Sequence, residues 1–242
     1  MNILLFSEID KISHNEIRVS DYRLQHLKKR LQNNSAPDFT PGNRLRVGEI
    51  NGLMGSGVIS CFTEHCVEIE LGPLIEQPPK PLDVVLIIAL PRPKMLKRIF
   101  REATSLGIKT FYIINSYKVD KSYWKSPALD TKKLNHYLLE GLEQSIDTIL
   151  PAVHLKRLFK PFVEDELPHI LQDRNCFVAH PEAKTQCPAA IPTPATIAIG
   201  PEGGFTDYEV SKLIALGFEG VTLGKRILKV ETAIPVLTGR CF

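Results

Sequence analysis

Residues Thr196 to Ala233 read TIAIGPEGGFTDYEVSKLIALGFEGVTLGKRILKVETA, and the rest of the chain makes sense around them. Thr196–Ile199 is a short apolar run of strand-forming residues, and Gly200-Pro201-Glu202-Gly203-Gly204 cannot prolong it as strand. Thr206 followed by Glu209 has the spacing of a capping box, so a helix begins there and stops at Gly217. Val221-Thr222-Leu223 is a second strand, and Gly224 turns the chain again before another helix starts. Two glycine turns at the carboxyl ends of neighbouring strands are where open α/β sheets bind ligands.

The wording of the two turns is more specific than their spacing. IGPEGGF followed by LGKRILKVETA resembles the paired motifs of the ribosomal RNA small subunit methyltransferase E family. That resemblance implies a SPOUT-class α/β domain with a deep trefoil knot, preceded by a PUA-like β-barrel. It implies S-adenosylmethionine as cofactor, methylation of a uridine at its imino nitrogen N(3) in small-subunit ribosomal RNA, and a homodimer built by the C-terminal halves. By the same analogy Ile199, Gly200, Glu202 and Gly203 form one wall of the cofactor pocket, and Leu223, Gly224, Ile227 and Leu228 the other. Glycines suit such a site because they let backbone groups approach a ligand closely. A uridine imino nitrogen must lose its proton before it attacks, which needs a base, and a cation would stabilise the uracil oxyanion. Arg226 is the candidate cation and Glu231 the candidate base, although an acid at a helix start is also favoured by the helix dipole.

A P-loop is excluded, because Gly224-Lys225 is followed by Arg226 and no glycine lies five residues before Gly224. A Rossmann-type methyltransferase would carry a G-x-G motif after an early strand, and none is present. Two alternatives stay open: a SPOUT enzyme acting on a ribose hydroxyl, and a non-catalytic RNA-binding ribosome-assembly protein.

Composition frames these readings. The 242 residues carry a net charge of only +3, so a nucleic-acid partner must be met by a local basic patch. The longest apolar run, Val84 to Leu90, is too short to cross a membrane, and the N-terminal residues lack a basic leader. Five cysteines without a C-x-x-C pair read as reduced thiols, and the histidines show no metal-ligand spacing, which together point to a metal-free cytoplasmic protein.

Residues 1–72 alternate apolar and polar side chains, as at Val67, Ile69 and Leu71, and Gly48, Gly52, Gly55 and Gly57 read as corners of a small barrel. Within this part Ser20–Gln32 is helical, with Leu24, Leu27 and Leu31 on one face. Arg23, His26 and Arg30 share a second face and Lys29 flanks it, which gives a phosphate-contacting stripe of the kind that binds RNA. Residues 73–82 hold four prolines and read as a stiff linker. From residue 83 to 242 strands alternate with helices: Asp83–Leu90 is a buried parallel strand, a helix ends at Gly107, and Ile108–Ile114 is the next strand. A further helix runs from Thr131 to about Ser145, and the last begins near Thr232 with Pro235 in its first turn. Glu143-Gln144-Ser145 with Pro151 again resembles the family's pattern. The chain departs from that pattern at Gln32, Ser105 and Asp147, and has Lys229-Val230 in place of arginine and threonine.

Overall fold

A computed structural model describes residues 2–32 and 41–242, apart from the side chains of residues 29–32. The chain divides into two compact units: Met1–Lys80 with Leu142–Leu150, and Pro81–Gly141 with Pro151–Phe242.

In the first unit β1 (Leu4–Phe6), β2 (Lys11–Ser13), β3 (Glu16–Val19), β4 (Arg44–Glu49), β5 (Met54–Phe62) and β6 (Val67–Glu76) form one sheet in the order β1-β4-β5-β6-β3-β2. Helix α1 (Tyr22–Gln32) adds Leu24 and Leu27 to a core of Phe6, Ile17, Val47, Ile59 and Ile69. Gly55 and Gly57 are interior residues of β5 rather than corners. Strand β6 runs to Glu76, past the expected boundary at residue 72. It does so through a bulge: Leu71 and Leu74 lie opposite Gly57 and Gly55, so β6 uses one residue more than β5 across this step. Pro73 falls inside the bulge, where a missing N–H is tolerated.

The basic stripe expected on α1 is not exposed as a unit. Arg23 is only 8% exposed, and its guanidinium donates to both Asp10 oxygens, at 3.0 and 2.6 Å, to the Leu5 carbonyl at 2.7 Å and to Asp21 at 2.9 Å. Burial alone would penalise its charge, but Asp10 and Asp21 outweigh that and hold its pKa above the ordinary value. A side chain so fully paired is a structural tether and is lost to any phosphate. His26 is half-buried, edge-on to the Tyr22 ring at 5.6 Å. The side chains of Lys29, Arg30, Leu31 and Gln32 lie outside the described residues.

The second unit is a seven-stranded, wholly parallel sheet in the order β11-β13-β10-β12-β7-β8-β9. Its strands are β7 (Leu82–Ala89), β8 (Ile108–Ile114), β9 (Ala152–Lys156), β10 (Asn175–Ala179), β11 (Thr185–Gln186), β12 (Ala195–Ile199) and β13 (Glu219–Thr222). β7 and β12 are buried almost throughout, which is why both read as unbroken apolar runs. Helix α2 (Pro93–Ser105) buries Leu96, Ile99, Phe100 and Ala103, and α3 (Thr131–Ser145), whose residues from Leu142 onward belong to the first unit, buries Leu134 and Leu138. On the polar face of α2, Lys97 and Arg101 pair with Glu140 and Arg98 pairs with Glu102, so this is a salt-bridged surface. Ser105 donates to the carbonyls of Arg101 and Gly141, tying the end of α2 to α3.

Two short helices, α4 (Phe159–Pro161) and α5 (Leu167–Ile170), flank a wider helical turn at Phe162–Glu166. Helix α6 (Asp207–Ala215) carries the expected capping box from Thr206 and Glu209. The last helix, α7 (Val230–Cys241), starts two residues before Thr232, so Pro235 lies in its second turn and not its first. Near its end, Cys241 lies 3.4 Å from Cys187, and burial together with that neighbour pushes its thiol up to about 12. Among the described residues no helix is long and apolar enough to cross a membrane, and no cluster of His, Cys, Asp and Glu is placed to hold a metal ion.

Candidate cofactor and substrate site

The sheet order places β13, β10 and β12 side by side, although β12 and β13 are the last strands in the sequence. Strand order reverses beside them, between β12 and β7, since β7, β8 and β9 run outward one way while β12 connects to β13 on the other side. A crevice at the carboxyl ends of strands at such a reversal is a ligand site by geometry alone. The three strand ends enclose a cavity of about 210 Å³.

Each strand supplies a wall. After β12 the chain turns through Gly200, Pro201, Glu202 and Gly204. A Cβ on Gly200 would stand 2.7 Å from the Phe205 amide nitrogen, so only glycine lets this turn fold back on itself. After β13 come Leu223, Gly224, Arg226, Ile227 and Leu228, with Gly224 at φ +114°, a conformation strained for any side chain. After β10 come His180 and Pro181, and the start of α7 adds Val230 and Ala233. Thus Ile199, Gly200, Glu202, Leu223, Gly224, Arg226, Ile227 and Leu228 are brought together around one cavity.

Gly203 and Glu231 are placed elsewhere. Gly203 lines an adjoining cavity of about 410 Å³, which shares His180, Pro181, Glu202, Gly204 and Ile227 with the first. Glu231 is buried in the first turn of α7, is absent from the walls of both cavities, and lies within electrostatic range of Arg98 on α2. The expected base is therefore a buried helix-start acid that lines neither cavity. Among the described residues the carboxylate on both cavities' shared wall is Glu202. Its Oε1 accepts the Arg92 N–H at 3.1 Å, which fixes the side chain against the end of β7.

His180, Pro181, Val230 and Ala233 were not expected here. His180 follows directly on β10 and could have been found from the rule that places ligands at strand carboxyl ends. Its Nδ1 accepts the Glu182 N–H at 3.3 Å, which puts the proton of the neutral ring on Nε2. Arg226 and Lys229 are exposed at the rim and make no ion pair among the described residues. The lining is chiefly apolar, with one carboxylate, one imidazole and rim cations. Such a mixture suits a cofactor combining a flat aromatic base, polar hydroxyls and a carboxylate tail.

The fold and the comparisons define an RNA methyltransferase domain, and residues 78–241 match the family of that description. The chain is 32% identical over 240 residues to the ribosomal RNA small subunit methyltransferase E of Treponema pallidum (strain Nichols), covering 96% of this chain and 87% of that protein. It therefore belongs to the ribosomal RNA small subunit methyltransferase E family. Two solved structures share the fold over 98% of this chain. One is a methyltransferase of Legionella pneumophila in complex with SAM, at a TM-score of 0.77, 19% identity and 96% of its own chain. The other is the ribosomal RNA small subunit methyltransferase E of Neisseria gonorrhoeae bound to S-adenosyl methionine, at 0.73, 18% and 95%.

Proposed function

We infer that this chain transfers a methyl group from S-adenosylmethionine to the imino nitrogen N(3) of a uridine in small-subunit ribosomal RNA. The observation that carries this reading is the cavity at the ends of β10, β12 and β13, lined by both glycine turns and by Arg226, Ile227 and Leu228. When bound, S-adenosylmethionine supplies a methyl group made transferable by its sulfonium. Leu223, Ile227, Leu228 and Ala233 offer apolar surface to its adenine, and the backbone around Gly200 and Gly224 can approach closely enough for hydrogen bonds. Catalysis then asks the protein mainly to orient the uridine and to remove its imino proton.

Glu202 is the acceptor for that proton at Oε2, since Oε1 is held by the Arg92 amide. His180 donates from Nε2 to a uracil carbonyl oxygen, and Arg226 adds positive charge where the oxyanion forms. The same reading gives the second unit a trefoil knot and the first a PUA-like RNA-binding barrel. It makes the active form a cytoplasmic homodimer.

The test is methyl transfer from radiolabelled S-adenosylmethionine to small ribosomal subunits from a strain lacking the enzyme, followed by reverse transcription. An N(3) methyl occupies the pairing edge of uracil and stops the transcript at one uridine. A methyl on a ribose hydroxyl leaves that edge intact and instead protects the adjacent phosphodiester from alkali. No transfer at all, with no cofactor binding by calorimetry, would leave the RNA-binding alternative standing.

A further inference from the structure

Beside the two cavities lies a third concavity of about 560 Å³, reached across Thr206, which lines both it and the adjoining cavity. Its walls include Tyr117, Phe159, Lys160 and Tyr208, with the buried Glu209 carboxylate at its floor already engaged in hydrogen bonds. Single exposed aromatics are common on protein surfaces. Here, however, Tyr117 is 86% and Tyr208 53% exposed on the same groove.

The backbone beneath Tyr117 is anchored, although the ring is in water. Its N–H donates to Glu209 Oε1 at 2.8 Å, the neighbouring Ser116 hydroxyl donates to Oε2 at 3.1 Å, and Glu209 is buried. A ring held out from a fixed backbone loses little entropy when something stacks on it. The next residue, Lys118, crosses toward the cofactor turn and donates to the Gly203 carbonyl at 2.8 Å. Lys118 makes no ion pair with a carboxylate among the described residues, and Lys160 only a loose one, 3.9 Å from Glu164. Tyr208 already carries the Lys212 ammonium over its ring at 5.6 Å, a pairing of aromatic face and cation that a base can extend. Exposed tyrosines on one groove, with Lys118 on the wall of the adjoining cavity, match an unpaired polynucleotide strand, whose bases stack and whose phosphates need positive charge.

We propose that this groove is a subsite for an unstacked base of the RNA strand next to the target nucleotide, with Tyr117 and Tyr208 stacking on the base and Lys118 meeting the intervening phosphate. The inference rests on the methyl-transfer reading above. It makes both tyrosines specificity-determining residues that never touch the transferred methyl group.

The test compares wild type with Tyr117→Ala, Tyr208→Ala, Tyr117→Phe and Lys118→Ala, using unmethylated small ribosomal subunits for transfer and S-adenosylmethionine calorimetry for the cofactor site. Each alanine variant at a tyrosine should lower kcat/KM for the subunit by roughly ten-fold or more, through KM, with cofactor affinity and Tm preserved. Tyr117→Phe keeps the ring and should stay within about two-fold of wild type. Lys118→Ala should weaken binding and reduce the salt dependence by about one counterion. Wild-type kinetics in both tyrosine-to-alanine variants would overturn the proposal, as would an equal loss in Tyr117→Phe or a parallel loss of cofactor binding. A change of oligomeric state in the tyrosine variants would also overturn it, by showing that a second copy covers the groove. An inactive wild type would remove the methyl-transfer reading itself, and is distinguishable because the defect would not depend on the variants.

Discussion

Glu209 lines neither of the two cavities shared by the glycine turns, yet much of the site hangs from it. Its buried carboxylate accepts from the Thr206 amide at 2.8 Å, the Thr206 hydroxyl at 3.0 Å, the Ser116 hydroxyl at 3.1 Å and the Tyr117 amide at 2.8 Å. It therefore caps α6 and holds the loop after β8 to the loop after β12. Removing it leaves four donors unpaired, one of them fully buried and three partly so, and Glu209→Ala should cost on the order of 3 kcal/mol in urea unfolding. Glu209→Gln, which can still accept at one oxygen, should cost clearly less, and equal losses would contradict the network described. Glu202 and Glu231 present the complementary case of two carboxylates with different stakes in the chemistry. With Glu202 on the cavity wall and Glu231 buried in the first turn of α7, Glu202→Gln should lower kcat about a hundred-fold with cofactor affinity preserved. Glu231→Gln should leave kcat within a few-fold of wild type, and the reverse ranking would return the role of base to Glu231.

Among the elements, α1 shows most clearly where local and long-range information part company. Its apolar spacing is a local signal, and Leu24 and Leu27 do face the core. Its cationic side was read by the same rule, but Arg23 is taken inward by Asp10, thirteen residues earlier, a partner no helical periodicity can reveal. The tether has a pH signature. Burial would raise the Asp21 pKa, but the hydrogen bonds from Arg23 more than reverse this and hold it below its ordinary value of 3.8. A carboxylate depressed in the folded state contributes stability that is present above its unfolded pKa and lost as pH falls through the folded one. Wild type should therefore lose stability on acidification below about pH 4, and Asp21→Asn should flatten that part of the profile. An unchanged slope in the variant would show that Asp21 takes no part in acid unfolding. The glycine turns and the capping box of α6 were legible for the opposite reason, because backbone conformation and capping are settled within a few residues. The start of α7 was less so: Pro235 is allowed in its second turn at the cost of one helical hydrogen bond, and residue type alone does not choose between positions.

For the whole molecule, the least legible feature is that the first compact unit is discontinuous in sequence. Glu143-Gln144-Ser145 reads as the end of a helix in the catalytic half, yet Leu142–Leu150 belongs with Met1–Lys80. The reason lies in pairings that span about a hundred residues. The amides of Asn2 and Ile3 donate to the Glu143 carbonyl at 2.8 and 3.3 Å, and the Asn51 amide donates to the Thr148 carbonyl at 2.8 Å. In return the Thr148 hydroxyl donates to the Gly52 carbonyl at 2.6 Å and the Leu150 amide to Asn51 Oδ1 at 2.9 Å. Asp147, where the family pattern has arginine, uses Oδ1 to accept the Ile149 amide at 2.9 Å and so shapes the turn that delivers these groups. A cut at the proline-rich segment would thus separate the sheet from part of its own hydrogen bonding. A fragment ending at Lys80 should be about 2–4 kcal/mol less stable than the same unit in the intact chain, since it strands several donors and acceptors. Hydrogen exchange gives the sharper readout, because the amides of Asn2, Ile3 and Asn51 should exchange much faster in the fragment while those in the middle of β5 remain protected. Adding residues 142–150 back through a flexible linker should restore protection at those three amides. Equal protection without the added segment would mean that the strands alone carry the unit, and that the natural boundary lies at the prolines after all.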